Sequence, residues 1–172
     1  MLRTLAAAAV ALLALLLGGC TMETPSRLEE YKTEAEALAD DVLAMIPEGL
    51  IESTLDPRSG PRFGDTLQAG QRPNDPAWWE VQAFAHLVDE QDASADAAAA
   101  ISEGMAADGW TEERVREIDD GTRITDGFRK EIDGEDWYIE VTWVVTQPEM
   151  AETIMITVVS PPTTRGDNTE SN

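Results

Sequence analysis

The sequence predicts an α+β fold, an antiparallel β-sheet with two helices packed on one face. Apolar residues recur at helical spacing in an early segment and in an Ala-rich segment near residue 100, whereas they alternate with polar residues in the strand-like segments. One helix precedes the first clear strand and the other separates it from the later strands, an order that favours helices on one side of a sheet. We expect a meander of about four strands plus one or two earlier strands.

The first predicted helix begins at Ser26, because Ser26-Arg27-Leu28-Glu29 fits a capping box. Pro47 and Gly49 end it. The acidic residues fall largely off its apolar stripe and are interpreted as a solvated face, with a cation or partner site as the alternative. The stripe consists of Leu28, Tyr31, Ala35, Leu38, Val42 and Met45.

A short strand is predicted over residues 49–55, followed by a long loop over residues 57–76. The loop segment contains four Pro, three Gly and three Arg. Loops longer than about 12–15 residues are often functional or disordered. This one is locally basic in an acidic protein, so it is the first candidate for a binding loop, with simple disorder as the alternative.

The next predicted elements are a strand from Trp78 to Val88 and a helix from Asp92 to Ala107. Asp92 or Ser94 would cap the helix, and Asp108-Gly109 would end it. Small residues on one helix face would let it lie close to a sheet. Trp78 and Phe84 share the strand face opposite the apolar one, which indicates a strand covered on both sides or lining a groove.

Turn signals divide the remainder into the meander, with segments at residues 110–118, 122–132, 136–146 and 151–160. The third segment places Trp137, Ile139 and Val141 on one face. Residues 26–162 form the predicted domain. The polar residues 163–172 are predicted to be a disordered tail.

Residues 1–19 have the pattern of a secretory signal peptide. Arg3 precedes an uncharged 13-residue run, Leu5–Leu17, which is shorter than the roughly 20 residues that a transmembrane helix needs. Leu17-Gly18-Gly19-Cys20 then resembles the lipobox of bacterial lipoproteins. That resemblance implies cleavage before Cys20 and a lipid on its thiol, with residues 20–25 as a lipidated tether. An ordinary secretory signal is the alternative.

The overall layout also resembles small lipoproteins of the actinobacterial type, from uncharacterised families. This resemblance implies placement at the cell envelope and brings no catalytic residues. It rests on the lipobox together with Trp78-Trp79, Asp108-Gly109-Trp110 and Ser160-Pro161-Pro162.

Charge excludes several classes of function. The chain carries 12 Lys+Arg against 34 Asp+Glu, a net charge of −22. Nucleic-acid affinity comes mainly from Lys and Arg that replace counterions on phosphates, so no nucleic-acid partner is expected. The same charge disfavours electrostatic adhesion to anionic lipids, which leaves the lipid on Cys20 as the expected membrane anchor.

Sites for metals and catalysis are not expected. Asp89, Glu90, Asp92 and Asp96 lie close in sequence but lack the order of a calcium loop, so they are interpreted as a strand-to-helix connection. The single His86 is interpreted as a surface imidazole. Arg165-Gly166-Asp167 is interpreted as a chance tripeptide. No catalytic, cofactor-binding or metal-ligating residue is assigned.

The sequence therefore predicts a lipid-anchored protein on the extracytoplasmic face of the cell membrane whose domain is a binding or interaction module. Its partner would be an envelope protein. The first alternative is a carrier that holds a lipid or other hydrophobic molecule between sheet and helices. The second alternative is an envelope enzyme of unknown reaction.

Overall fold

The computed structural model describes residues 25–64, 72–118, 121–145 and 151–167. A 3-10 turn, Glu48–Leu50, follows the first helix. The helices are α1 (Leu28–Ala44) and α2 (Ala93–Ala107), and the strands are β1 (Ile51–Phe63), β2 (Pro76–Leu87), β3 (Thr111–Ile118), β4 (Arg123–Ile132), β5 (Glu135–Val144), β6 (Thr153–Val159) and β7 (Thr163–Thr164).

The described strands form one antiparallel sheet in the order β1-β2-β6-β5-β4-β3, with β7 pairing the start of β2. The predicted α+β class is confirmed: β3 to β6 are the four-strand meander, and β1 and β2 are the two earlier strands. Helix α1 packs on β2 and β6, and helix α2 packs on β5 and β6. The last strand of the meander returns to pair β2, so it joins the two halves of the sheet.

The core lies between the helices and one face of the sheet. Alternate residues of β2, β5 and β6 are buried there because side chains of a strand point to opposite faces. Small residues on α2 let the helix backbone approach the strands closely. The buried α2 residues are Ala93, Ser94, Ala97, Ala98, Ile101 and Met105, and those of α1 are Leu28, Tyr31, Ala35, Ala39 and Val42.

Helix α1 begins one residue later than the capping box predicted, with Arg27 in place of Ser26 at the N-cap. Its N-cap is Arg27, which makes no side-chain capping hydrogen bond. Ser26 Oγ accepts a hydrogen bond from the Leu28 backbone at 3.4 Å. The serine half of the predicted capping box is therefore present, although Ser26 lies one residue before the N-cap, beside the C-terminal segment. The acidic residues of α1 are mostly exposed, as the solvated face requires.

The prediction of a loop from residue 57 is wrong for residues 57–63, which belong to β1. Proline lacks a backbone N–H and is tolerated in edge strands and at bulges. Strand β1 is an edge strand among the described residues, and its register shifts between Leu55 and Arg58, where Pro57 lies. Pro61 pairs opposite Trp79 in the same edge strand. Residues 65–71 lie outside the described residues.

A residue from a distant part of the chain accepts hydrogen bonds from the N-terminus of α2. Asp92 is the N-cap, but it has φ +66° and makes no side-chain capping hydrogen bond. The Ser94 backbone N–H and hydroxyl both donate to Glu152 Oε2, just before β6. A carboxylate near a helix N-terminus is stabilising. Asp92 thus occupies the N-cap position that the sequence predicted, but the carboxylate that accepts hydrogen bonds from the start of the helix belongs to Glu152.

The disorder predicted from residue 163 is wrong for residues 163–167. Thr163 and Thr164 pair with Ala77 and Pro76 of β2. The Arg165 side chain is buried and stacks on the Phe63 ring, with the guanidinium carbon 3.9 Å from the ring centroid. Residues 168–172 and residues 1–24, which include the predicted signal peptide and Cys20, lie outside the described residues. Within the described part of the chain, no helix is long and apolar enough to cross a membrane.

Candidate functional site

One face of the sheet carries no helix among the described residues, and we call it the helix-free face. Both helices pack on the opposite face, and the alternate residues of β2, β5 and β6 that point away from them are mostly half-buried. Those residues include Phe84 of β2, Thr142 of β5 and Met155 of β6. The helix-free face is therefore a candidate surface on which a partner could lie.

Strand register places a continuous row of side chains across this face. Leu55 pairs with Phe84, Phe84 with Met155, and Met155 with Thr142. The row continues through Thr125 to Arg116 at the opposite edge. The half of the row on β1, β2 and β6 is apolar, and Leu55 is 52% exposed. The half on β5, β4 and β3 is polar and ends in a cation.

A pocket of about 170 Å³ opens beside the apolar half of this row. Its size is close to the roughly 150 Å³ cavity that binds benzene in an engineered protein core. It is smaller than the roughly 300–1,000 Å³ of typical small-molecule sites. One phenyl ring or branched aliphatic group fits it. The lining residues are Phe84, Arg123, Thr142, Trp143, Val144, Thr153 and Met155.

Charge is distributed unevenly between the two sides of the domain. The acidic residues of α1 lie behind the sheet, on the helix side. By register, arginines of β1, β3 and β4 lie on the helix-free face, together with Glu80 and Glu140. These arginines are Arg58, Arg62, Arg116, Arg123 and Arg129. Three of these arginines are paired with acids, Arg62 with Glu80, Arg116 with Glu140 and Arg129 with Glu113, so the face carries charges of both signs.

Ion pairs hold part of this surface in place. Arg62 binds Glu80 at 2.9 Å, and Arg116 binds Glu140 at 3.0 Å. The Tyr138 hydroxyl donates to the same Glu140 carboxylate at 3.0 Å. The Tyr138 ring lies over Gly127, where a Cβ atom would be 3.2 Å from Cζ. A glycine at this position thus leaves space for the ring on the strand surface.

A second cleft, of about 290 Å³, lies between the start of α1 and the β4–β5 turn. There the Tyr31 hydroxyl donates to Glu135 at 2.9 Å, and Arg27 binds both Glu30 and Glu135. The Tyr31 ring meets Trp137 edge-on at 5.7 Å. Burial, together with the Glu135 carboxylate, raises the pKa of Tyr31 to about 12. These contacts fasten the first turn of α1 to the sheet.

The predicted site residues are distributed over both sides. His86 lies on the helix-free face, opposite Thr153. Trp137 is buried in the core, and Trp143 Nε1 donates to Asp126 at 3.0 Å. Arg58, predicted in a loop, lies instead on β1. Within the described residues, no group of three or more His, Cys, Asp or Glu side chains is placed to hold a metal ion.

Sequence reasoning identified Phe84 as part of a possible groove but missed Leu55, Met155 and Arg123. Each of these three residues is ordinary within its own segment. Only strand order brings them together, since β6 returns to lie between β2 and β5. No protein-family model matches the sequence, and no curated protein matches it either. The helix-free face and its pocket are therefore the candidate site of this fold.

Proposed function

We propose that this protein is a membrane-anchored extracytoplasmic lipoprotein whose α+β domain is an interaction module at the cell envelope. The partner would dock on the helix-free face. The observation that carries this proposal is the row Leu55, Phe84 and Met155, which crosses three neighbouring strands beside a pocket. Apolar side chains that line a pocket within a polar surface are typical of a binding site.

The anchor is inferred from the sequence. Cys20 is the only cysteine and follows the apolar run and two glycines. A diacylglyceryl group would give two buried chains, which suffice for stable membrane attachment at about 0.8 kcal/mol per methylene. Anchoring confines the domain near the membrane, and it raises the effective concentration for a partner in the same envelope.

The size of the pocket supports a protein partner over a lipid cargo. About 170 Å³ accommodates one side chain of a partner, whereas a carried lipid would need a much larger enclosed volume. Between sheet and helices, the described core positions are filled by large side chains such as Trp79, Met105 and Ile139. The interaction module is therefore the function that the geometry supports best.

Crosslinking in native membranes tests the proposal. A photoreactive residue placed at Thr157, on the helix-free face, is expected to capture a specific envelope protein. The same residue placed at Asp40, on exposed α1, is the control. Phe84→Ala should weaken the Thr157 crosslink at least about tenfold, because hot-spot truncations cost about 2 kcal/mol or more. Val115→Ala removes an exposed apolar residue elsewhere and should have no effect. An identical crosslink pattern in all variants would contradict the proposed face.

The anchor has its own test. Cells grown with a radiolabelled fatty acid should label the wild-type protein, and Cys20→Ser should abolish the label. Because the described domain contains no part of the anchor, Cys20→Ser should leave its folding unchanged and release it from the membrane fraction. Labelling that persists in Cys20→Ser would refute lipidation at this residue.

A further inference from the structure

Building on the proposed function, we infer that the partner on the helix-free face is a second copy of this chain. In the resulting symmetric dimer, Leu55 of each copy enters the pocket of the other. The juxtaposition that carries this inference is an exposed leucine and a pocket of about 170 Å³ in the same row of the sheet. A surface with both a protruding group and a hollow that accepts it is self-complementary, as a twofold interface requires.

Strand order lets the two faces match about one axis. The central strands lie in the order β1-β2-β6-β5. A twofold axis that runs along the strands, between β2 and β6, places β1 of each copy over β5 of the other and β2 over β6. Leu55 and Thr142 are the ends of one row across these strands, so Leu55 of each copy then lies over Thr142 of the other, in the pocket wall. Two sheets stacked in this way lie about 10 Å apart, with strands within about 30° of each other.

The neighbouring row is complementary in charge. Its paired residues are Arg58, Gln82, Thr157 and Glu140. The same axis therefore places Arg58 of each copy over Glu140 of the other. Arg58 is exposed and has no ion-pair partner within the described part of the chain. Glu140 binds Arg116 at 3.0 Å and keeps 21% of its side chain exposed, and a carboxylate can accept several hydrogen bonds, so Arg58 can join this pair.

A third row is complementary in size. Its paired residues are Gly60, Glu80, Val159 and Tyr138. The axis places Gly60 of each copy over the Tyr138 side chain of the other. Because Gly60 has no side chain, the two sheets can approach over the Tyr138 ring. Three rows therefore match under one symmetry operation.

The same axis is compatible with attachment of both copies to one membrane. The Arg27 backbone donates to Thr163, and Thr163 pairs with Ala77 near the start of β2. The domain therefore begins at the end of the sheet where β2 begins. An axis along the strands keeps the strand direction of both copies the same, so both domains begin at one end of the dimer. The anchor proposed on Cys20 of each copy would then reach the same membrane.

The net charge of −22 does not prevent this contact. Helix α1 lies on the opposite side of its sheet, so face-to-face packing leaves α1 of each copy on the outside of the dimer. With about 10 Å between stacked layers, the two acidic helices are about 30 Å apart. The screening length at physiological salt is about 8 Å, so the repulsion between them is largely screened.

The contact area indicates a dimer that depends on the membrane. Four strands are about 19 Å wide, and the seven residues of β6 extend about 23 Å, which gives about 440 Å² of flat area on each copy. The two copies together contribute about 900 Å², below the roughly 1,200 Å² of the smallest typical stable complexes. Anchoring in one membrane raises the effective concentration and favours such a contact.

Thiol crosslinking of the full chain in native membranes tests the inference. Gln82 of β2 lies next to the axis, so a bismaleimide that spans about 10 Å is expected to join two copies of Gln82→Cys. Asp41→Cys, at an exposed position on α1, is the matched control and should give no dimer. The wild-type chain, whose single Cys20 is expected to carry lipid, measures the background.

Replacing Leu55 tests the apolar contact. In the Gln82→Cys background, Leu55→Asp should lower the crosslinked fraction at least about tenfold. Val115→Asp, at an exposed apolar residue of β3, should leave it unchanged. Both residues are more than half exposed, so neither substitution should unfold the domain, and equal urea midpoints check this. A crosslinked fraction that does not respond to Leu55→Asp would overturn the inference.

Exchange of charges between copies separates the contact from effects on folding. Arg58→Glu and Glu140→Lys, each expressed alone, should weaken the dimer at least about tenfold, because each brings like charges together. When the two variants are expressed together with different tags, the crosslink between them should return. In that mixed dimer the introduced acid meets the introduced base, and the native arginine meets the native glutamate. A misfolded variant would not recover in this way, and no recovery in the mixture would overturn the inference.

The outcomes also distinguish this inference from the proposed function. The photoreactive residue at Thr157 is expected to capture a second copy of this chain. If it captures a different envelope protein in a manner that depends on Phe84, and Gln82→Cys gives no dimer, the interaction module is retained and the second copy is overturned. A dimer from Asp41→Cys but not from Gln82→Cys would place the contact on another face and overturn the inference. If no protein is captured at either position, both proposals fail.

Discussion

Replacing Glu152 with alanine is expected to destabilise the domain by about 3 kcal/mol. Glu152 is 5% exposed, and its carboxylate accepts hydrogen bonds from the Ser94 backbone at 3.0 Å and from the Ser94 hydroxyl. A hydrogen bond to a charged group contributes about 1.5–3 kcal/mol, and an anion at a helix N-terminus adds up to about 1 kcal/mol. The two bonds share one acceptor atom, so their contributions do not add fully. Glu152→Gln keeps an acceptor without the charge and should cost about half as much.

Urea unfolding followed by tryptophan fluorescence measures this effect. Glu152→Ala should lower the unfolding midpoint with no change in the slope, since the native surface is almost unchanged. In a thermal scan the loss corresponds to about 6–12 °C in Tm for a chain of this length. Glu112→Ala, at an exposed acid on β3, is the matched control and should change the free energy of unfolding by less than about 0.5 kcal/mol.

A double-mutant cycle isolates the contact from other effects of the substitution. Ser94→Ala together with Glu152→Ala should cost less than the sum of the single variants, with a coupling of about 1–3 kcal/mol. If Glu152→Ala behaves like Glu112→Ala, or if the cycle shows no coupling, the carboxylate does not cap α2 and the reasoning fails.

Two further predictions concern the contacts of α1 and of the segment that follows it. Because the Tyr31 pKa is raised from about 10 to about 12, its contribution to stability is complete below about pH 10 and is lost as pH rises toward about 12. Between about pH 9 and about pH 11.5, the urea midpoint of Tyr31→Phe should thus fall less steeply with pH than that of the wild type. An equal dependence of the midpoint on pH in the two proteins would contradict this. A Cβ at Gly104 would lie 2.7 Å from Met45 Sδ, so Gly104→Leu should cost about 2 kcal/mol. Adding Met45→Ala should restore part of that stability in the same urea assay; no restoration would show that the contact is not responsible.

Local patterns were sufficient for most elements of the fold. Alternation placed Trp79 and Trp137 in the core, and small residues near Ile101 identified the buried face of α2. Such patterns repeat over two to four residues, so a short window contains them. A short window was not sufficient for β1, which was predicted as a loop from residue 57 because Pro57 and Pro61 are typical of loops. Edge position and a bulge make them compatible with a strand, and neither is visible in the segment itself.

The candidate site was less accessible to sequence reasoning, because it depends on long-range pairing. Phe84 and Met155 are 71 residues apart in sequence (155 − 84) and become neighbours only through the pairing of β2 with β6. The cap of α2 has the same origin, since Glu152 is 58 positions from Ser94. The local segment was sufficient to identify Asp92 as the N-cap residue, but it contains no sign of the Glu152 carboxylate that accepts from Ser94. Strand order therefore decided which residues form the pocket.

The contact between the two ends of the domain has a mechanical consequence. The Arg27 backbone donates to Thr163 Oγ1 at 3.2 Å, and a Cβ at Gly166 would lie 2.7 Å from Ser26 Cβ. Both ends therefore leave the fold at one corner. A stretching force applied between the two ends would break the pairing of the short strand β7 with β2 before it acted on the strands of the core. For the same reason, a reporter fused after residue 167 would stand beside Ser26, and a short linker joining the ends of the described domain would permit a circular permutant with the same sheet order.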